Sequence, residues 1–299
     1  MEIVETFADA RALYRGRIGL LPTMGYFHEG HLVLMDLLRD QCDTLVVSNF
    51  VNPTQFNRPA DLDSYPRDIG RDGELASDHG VDIHFVPHVD EVYPSGSSTE
   101  VTVGAVALGM EGRYRPSHFV GVATVVAKLF AGLRPDVAVF GKKDAQQIAV
   151  LLGMARDMRF PVEIVAAPLV REPDGLALSS RNVRLTRANR EAALAISRGL
   201  FQAAEQIDAG ERRVERLEAT VSRSISRLGA DYVELVAADT MEPIESLDGP
   251  AVLAVAAHAG DVRLIDNLSI EWVGDRPKPD RGLILDEPSQ LGTLHESTP

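Results

Sequence analysis

At 299 residues the chain is long enough for two domains of ordinary size, and with 45% hydrophobic and 25% charged residues it can bury a real core, which excludes disorder throughout. Acidic side chains (44) outnumber basic ones (30), and the resulting net charge of −14 argues against nucleic acid or an anionic membrane surface as partner, while leaving room for one local basic pocket. A single cysteine, Cys42, excludes an intrachain disulfide or a cysteine zinc site and fits a reducing cytoplasm; no apolar run nears the roughly 20 residues of a membrane helix, and Met1 to Ala10 lacks the basic start of a signal peptide.

Along the chain, short apolar runs alternate with segments of helical period from Arg17 to about Ala167. Strands are predicted at Ile18 to Leu21, Leu45 to Val51, Asp82 to Val86, Val137 to Phe140 and Val162 to Ala166, each apolar enough to be covered on both faces of a parallel sheet. Between them, Leu32, Met35 and Leu38 share one helix face, Val122, Val125, Val126, Leu129 and Leu133 another, and a helix opening after Lys143 is expected to bury Ile148, Leu151 and Leu152. After Arg171 a turn-rich stretch leads into two long helical patterns and then strands at Asp231 to Ala237, Ala251 to Ala257 and Val262 to Ile270, the order of a separate α+β domain. Gly274 to Pro299 holds four prolines and no clear period, so it reads as a disordered tail. The expected division is therefore 1–170, 171–272 and a tail of 273–299.

Chemistry concentrates where strands meet helices. The first main strand ends in Pro22-Thr23-Met24-Gly25, and His28-Glu29-Gly30-His31 follows at a helix entry. Two imidazoles beside the open N–H groups of a helix N-terminus make a phosphate site, able to stabilise charge as pyrophosphate departs; a zinc site would need a third ligand and other spacing. Asn52 and Gln55, beyond the second strand, lie where ligands bind in parallel α/β sheets, and offer amide groups either to a small polar substrate or to their own loop. Asp72 either holds a magnesium-bound water or is an ordinary helix acid. Arg115 and His118 either gate the cleft or anchor a turn. Gly141-Lys142-Lys143-Asp144 ends the fourth strand, with Gln147 one helical turn further on; glycine admits a close backbone approach, lysine neutralises phosphate and aspartate accepts from ribose hydroxyls. Leu178-Ser179-Ser180-Arg181-Asn182, near the expected junction, suits a triphosphate clamp or a helix cap equally.

Taken together, the segments LPTMGYFHEGH, VVSNFVNPTQF, DLDSYPR, RPSHFVGVATVVAKLF, FGKKDAQQ, VREPDGLALSSRN and GDVRLIDN resemble the pantothenate synthetase family, the pantoate and β-alanine ligases among the His-x-Gly-His nucleotidyltransferases, over about residues 1 to 272. The resemblance implies a Rossmann-like parallel α/β domain that binds ATP and pantoate, a smaller C-terminal α+β lid, and a cytoplasmic homodimer. It implies attack of the pantoate carboxylate on the α-phosphorus of MgATP, release of pyrophosphate, and attack of the β-alanine amine on the pantoyl adenylate with loss of AMP. By position, Met24, Gly25, His28, Gly30 and His31 would contact ATP, with His31 the catalytic acid. Gly141, Lys142, Lys143, Asp144, Val170, Leu178, Ser179, Ser180 and Arg181 would complete the ATP site, Lys143 and Arg181 carrying phosphate charge. Gln55 and Gln147 would hold pantoate, with Val125, Val126, Leu129 and Phe140 as its apolar wall, and Gln55 would also meet β-alanine.

The chain departs from the family at Asn49, Thr54, Lys142 and Ser117, where isoleucine, methionine, glutamate and glycine are usual. Asn49 and Thr54 bring polar groups to the substrate loop and Lys142 adds charge beside ATP, so a related ligase joining a different acid or amine is the alternative. A nucleotidylyltransferase that stops at an adenylate, and a nucleotide sensor without catalysis, are readings of other classes; release of adenylate without amide, or ATP binding without pyrophosphate exchange, would mark them.

Overall fold

The computed structural model describes residues 1–56 and 62–290; Asp61, which opens DLDSYPR, and 291–299 of the expected tail lie outside the described residues. Two compact units emerge. One comprises Met1–Phe27, His31–Gly141 and Val150–Ala167; the other comprises His28–Gly30, Lys142–Ala149 and the chain from Pro168 onward. Neither is one continuous stretch, so the division is not a single cut near residue 170.

The first unit holds β1 (Glu2–Val4), β2 (Ile18–Thr23), β3 (Thr44–Asn49), β4 (Ile83–Phe85), β5 (Val137–Gly141) and β6 (Glu163–Ala167) in the order β1-β4-β3-β2-β5-β6, with every pair parallel. The five expected strands are all present. β1 escapes sequence reading because three residues carry no period; it exists by pairing Glu2 to Val4 with Ile83 to Phe85. β2 sits between β3 and β5, so the chain leaves it on one side and returns on the other. At such a switch, the crevice outside the carboxyl ends of the strands is the ligand position of open α/β sheets. Here those ends are Thr23 and Gly141.

Burial explains the elements. Leu21, Leu45, Val47, Val137 and Val139 are all but fully buried, and the helix Glu29–Arg39 adds Leu34, Met35 and Leu38 to the same core. The helix His118–Leu133 is buried on most sides, including Val122, Val125, Val126, Leu129 and Leu133. In the helix Ala145–Asp157, Ile148 and Leu151 are buried as expected, but Leu152 is 48% exposed. One residue beyond Leu151 is a turn of about 100° around the helix, which carries Leu152 off the buried face.

From Pro168 onward the second unit runs first through the short strand β7 (Val170–Arg171). It then packs the helices Arg187–Asp208 and Val214–Ser224 with an antiparallel sheet of β8 (Gly229–Ala237), β9 (Ala251–Ala259), β10 (Val262–Val273) and β11 (Arg276–Asp280), ordered β11-β10-β9-β8. Its core joins Leu194, Leu200, Leu217, Leu253, Val255 and Leu268. The expectation of a disordered tail from residue 273 is corrected: β11 pairs with β10, and a further strand, β12 (Leu283–Ile284), pairs with β7. Prolines misled the reading. Pro277 and Pro279 lie two apart on an edge strand, so both missing N–H groups fall on the side that needs no partner, while the rings are buried.

Candidate functional site

In the first unit, the loop leaving β2 is held in an unusual backbone shape. Gly25 and Tyr26 have φ of +79° and +56°, and a Cβ on Gly25 would lie 2.2 Å from Asn49 Oδ1, so only glycine fits. Asp72 fixes this loop. Its carboxylate accepts the N–H of Tyr26 at 2.6 Å, the N–H of Phe27 at 2.7 Å and Asn49 Nδ2 at 2.9 Å, and the residue is fully buried. Burial pushes its carboxyl up from the usual range, while the Phe27, Tyr26 and Asn49 hydrogen bonds and nearby Arg71 pull it back. Of its two sequence readings, the geometry favours a structural acid: both carboxylate oxygens face protein donors and no solvent. Among the described residues no group of three His, Cys, Asp or Glu side chains is placed to hold a metal ion. His31 follows on the helix, half-buried, with its ring 5.5 Å from that of Phe27.

The loop after β3 is equally tied. Asn52 is buried; its Nδ2 donates to Gln55 Oε1 at 3.1 Å and to the Gly121 carbonyl at 3.1 Å, and its Oδ1 accepts from Tyr93 at 2.8 Å and Thr54 at 3.0 Å. Asn52 is thus a staple of the loop, with its amide engaged by protein partners on both donor and acceptor sides, the second of the two uses its sequence suggested. Gln55 faces Met24, with Nε2 3.0 Å from the sulfur, so the two expected ligand residues from different loops do meet. Its carbonyl accepts from Arg115 Nη2 at 3.3 Å and stands 3.2 Å from His118 Nδ1. Of the two readings for Arg115 and His118, the geometry supports the anchor. Gly121 permits this approach: a Cβ there would sit 2.6 Å from the Thr54 carbonyl. The two polar departures are satisfied within the protein, Asn49 by Asp72 and Thr54 by Asn52 and Tyr93.

The second unit gathers a different set. His28 and Gly30 sit together because a Cβ on Gly30 would lie 2.8 Å from the His28 ring; glycine lets the imidazole fold back across the helix start. The same absent Cβ would lie 3.8 Å from Leu178, which brings the Leu178-Ser179-Ser180-Arg181 run beside the histidine turn. Ser179 Oγ accepts the Arg181 N–H at 3.3 Å and so caps the short 3-10 turn Ser180–Arg184, one of the two uses its sequence suggested. Gly141 ends β5 in the first unit, and the Lys142–Asp144 turn follows in the second. Lys143 Nζ is 4.0 Å from Asp144.

Lys142 differs from expectation. Its Nζ lies 2.8 Å from Glu271 and 3.1 Å from Asp280; burial works against its charge, but these two carboxylates outweigh burial and hold its pKa above the ordinary value. Its charge is thus countered within the protein by two carboxylates. Asn267 and Arg171 escaped sequence reasoning as individual residues. Asn267 Nδ2 donates to the carbonyls of both Lys142 and Lys143, at 2.8 and 2.9 Å, and fully buried Arg171 forms a two-bond pair with Asp266 at 2.7 and 3.0 Å. Both stand in quoted segments, VREPDG and GDVRLIDN, but nothing local distinguishes them from ordinary strand polar residues. Gln147 and Asp144 are half-buried, and Val170 is buried within its strand pair.

An open parallel sheet with a glycine turn after β2, histidines at the next helix start and a Gly-Lys-Lys-Asp turn after β5 has the makings of a nucleotide-binding α/β enzyme. The sequence matches the family described as pantoate-beta-alanine ligase over residues 2–269. It is 48% identical to the pantothenate synthetase of Heliobacterium modesticaldum over 280 residues, covering 91% of this chain and all of that protein, and 50% identical to pantothenate synthetase 1 of Bradyrhizobium diazoefficiens over 273 residues, covering 91% and 96%. The crystal structure of pantothenate synthetase from Thermus thermophilus matches with a TM-score of 0.86 at 43% identity, over 90% of this chain and 99% of that one. A pantoate-beta-alanine ligase from Francisella tularensis, solved in complex with beta-gamma ATP and beta-alanine, matches with a TM-score of 0.74 at 31% identity, over 89% and 97%. The chain belongs to the pantoate-beta-alanine ligase family and is an enzyme of its ATP-dependent ligase type.

Proposed function

We propose that the protein activates pantoate with ATP and joins it to β-alanine, forming pantothenate with release of AMP and pyrophosphate. In the first step a pantoate carboxylate oxygen attacks the α-phosphorus and the bond to the β-phosphate oxygen breaks, so pyrophosphate leaves with that electron pair. The β-alanine amine then attacks the acyl carbon, the acyl–phosphate bond breaks, and AMP leaves; the amine loses a proton to solvent or base. On this reading His28 and His31 donate to phosphate oxygens at the helix start, Lys143 and Arg181 neutralise the triphosphate, and the backbone from Met24 to His31, Gly141 to Asp144, Val170 and Leu178 to Arg181 shapes the nucleotide site. Gln55 and Gln147 hold pantoate. Magnesium enters with the triphosphate as part of the substrate.

The observation that carries the proposal is the Francisella relative solved with beta-gamma ATP and beta-alanine, together with the His28-to-His31, Lys143 and Arg181 turns of this chain. Asn49 Nδ2 donates to Asp72 and the Thr54 hydroxyl bonds Asn52 and Tyr93, so both polar departures are engaged by the protein, which favours the family's usual amine. Assembly as a homodimer in the cytoplasm belongs to the same reading; Cys42, free and half-buried, is in keeping with a reducing compartment. No helix among the described residues is long and apolar enough to cross a membrane.

The test is pyrophosphate exchange across a panel of hydroxy acids, followed by amide formation across a panel of amines. Pantoate-dependent exchange and amide formation with β-alanine are expected, and His31→Ala is expected to lower exchange about 10²- to 10³-fold, the usual cost of one preorganised donor. Adenylate release without amide, or wild-type exchange in His31→Ala, would overturn the assignment.

A further inference from the structure

The family match ends at residue 269, and the whole of the Heliobacterium relative is covered by 91% of this chain, yet the chain continues in ordered structure to residue 290. This continuation does not pack at random. β10 turns at Gly274 and returns as β11, whose last residue, Asp280, reaches Lys142 at 3.1 Å. Gly282 then lets the backbone pass close to Leu169, where a Cβ would lie 2.4 Å from the carbonyl oxygen, and β12 pairs with β7. Beyond it, Ser289 is almost fully buried. Its N–H donates to Glu172 at 2.8 Å and its hydroxyl to Glu29, while the Gln290 N–H donates to the other Glu29 oxygen at 2.7 Å.

Each of the three attachment points adjoins a residue of the nucleotide site. Lys142 precedes Lys143, Val170 is itself in the set, and Glu29 stands between His28 and Gly30. An exposed glutamate in a first helical turn is ordinarily solvated; here both its oxygens are taken by a segment some 260 residues away in sequence. Three hydrogen bonds to carboxylates at one end, two on Glu29 and one on Glu172, and an ion pair at the other make a strap that spans the site's loops without contributing a group to the chemistry.

We propose that residues 276–290 are a positioning strap for ATP: Asp280 sets the Lys142–Lys143 turn, and Ser289 with Gln290 sets Glu29 and so the His28-to-His31 turn. The proposal rests on the assignment of these turns to ATP. Without the strap, nucleotide binding must itself order the turns, so the loss falls on ATP and not on pantoate.

The experiment compares the full chain with one ending at Leu285, which keeps both strands and removes the Ser289 and Gln290 arm with the rest of residues 286–299. Circular dichroism reports folding, and pyrophosphate exchange gives separate KM values. Expected is an ATP KM raised about tenfold, the size of effect when charge-assisted bonds that preorganise a loop are lost, with the pantoate KM unchanged. An unchanged or lowered ATP KM, or an equal rise in both, overturns the strap. Should the shortened chain fail to fold, Asp280→Ala decides in its place: a raised ATP KM that Asp280→Glu largely restores supports the proposal, and a wild-type ATP KM overturns it. Lys143→Ala serves as the separate control, since wild-type exchange in that variant would refute the ATP assignment, whereas impaired exchange there with a normal ATP KM in the shortened chain would refute only the strap.

Discussion

Replacing Asp72 by alanine separates a structural carboxylate from a metal-holding one. The substitution strips acceptors from two backbone N–H groups, those of Tyr26 and Phe27, and from the Asn49 amide, all inside a site with no exposure at Asp72. Hydrogen bonds to a charged acceptor contribute about 1.5 to 3 kcal/mol each, so three would give about 4.5 to 9 kcal/mol. Burial offsets part of that sum, as the upward push on the Asp72 carboxyl shows, and water entering the space left behind recovers some of the rest. A net loss of about 3 to 5 kcal/mol remains, the range for removing one partner from a buried charged network. Asp72→Asn should cost less, because one acceptor oxygen survives while the new NH₂ opposes an N–H. The assay is urea unfolding followed by circular dichroism, without and with magnesium. The same bonds hold Gly25 and Tyr26 at positive φ, so pyrophosphate exchange should fall together with stability. A loss below about 1 kcal/mol in metal-free buffer, joined to a raised magnesium requirement, would refute the staple and restore a metal role for Asp72.

Two further outcomes follow from the same unit. Gly121→Ala places a Cβ against the Thr54 carbonyl and the Gln55 N–H, at 2.6 and 2.7 Å, and backbone cannot yield as a side chain does. The pantoate KM should rise about tenfold or more while the ATP KM holds, and unchanged pantoate kinetics would show that Gln55 does not touch the acid. His84 on β4 is fully buried with neither ring nitrogen hydrogen-bonded among the described residues, and burial lowers its pKa from 6.5 to about 4. The folded state thus keeps it neutral while the unfolded chain takes up a proton below pH 6.5, so stability is full above that pH and declines by about 1.4 kcal/mol per unit, about 3 kcal/mol in all, as the pH falls to 4. His84→Leu should lack this component of the acid slope; parallel pH–stability curves for variant and wild type would exclude it.

Much of the architecture was legible in the chain. A strand covered on both faces must be apolar throughout, which is why Ile18 to Leu21, Leu45 to Val51 and Val137 to Phe140 mark a parallel sheet, and ligands gather at strand ends, which is why His28, His31 and Lys143 are candidates from the sequence. Three strands of the C-terminal sheet, β8, β9 and β10, were equally plain in their apolar runs. Residue type, however, says only what a side chain can bond, not what it meets. Asn52, Asp72 and Lys142 carry the groups expected of ligands, but their hydrogen bonds are met by Tyr93, by the Tyr26 and Phe27 backbone, and by Glu271 and Asp280, partners 41, 46 and 138 positions away or comparable distances along the chain. The 274–290 segment makes the same point for backbone. Its prolines signalled a coil locally, and only the presence of β10 and β7 as neighbours turned it into strand, because a β edge is defined by pairing and not by the residues that supply it. Local pattern determines which residues are buried; which polar groups remain for a ligand is decided by the tertiary partners that reach them first.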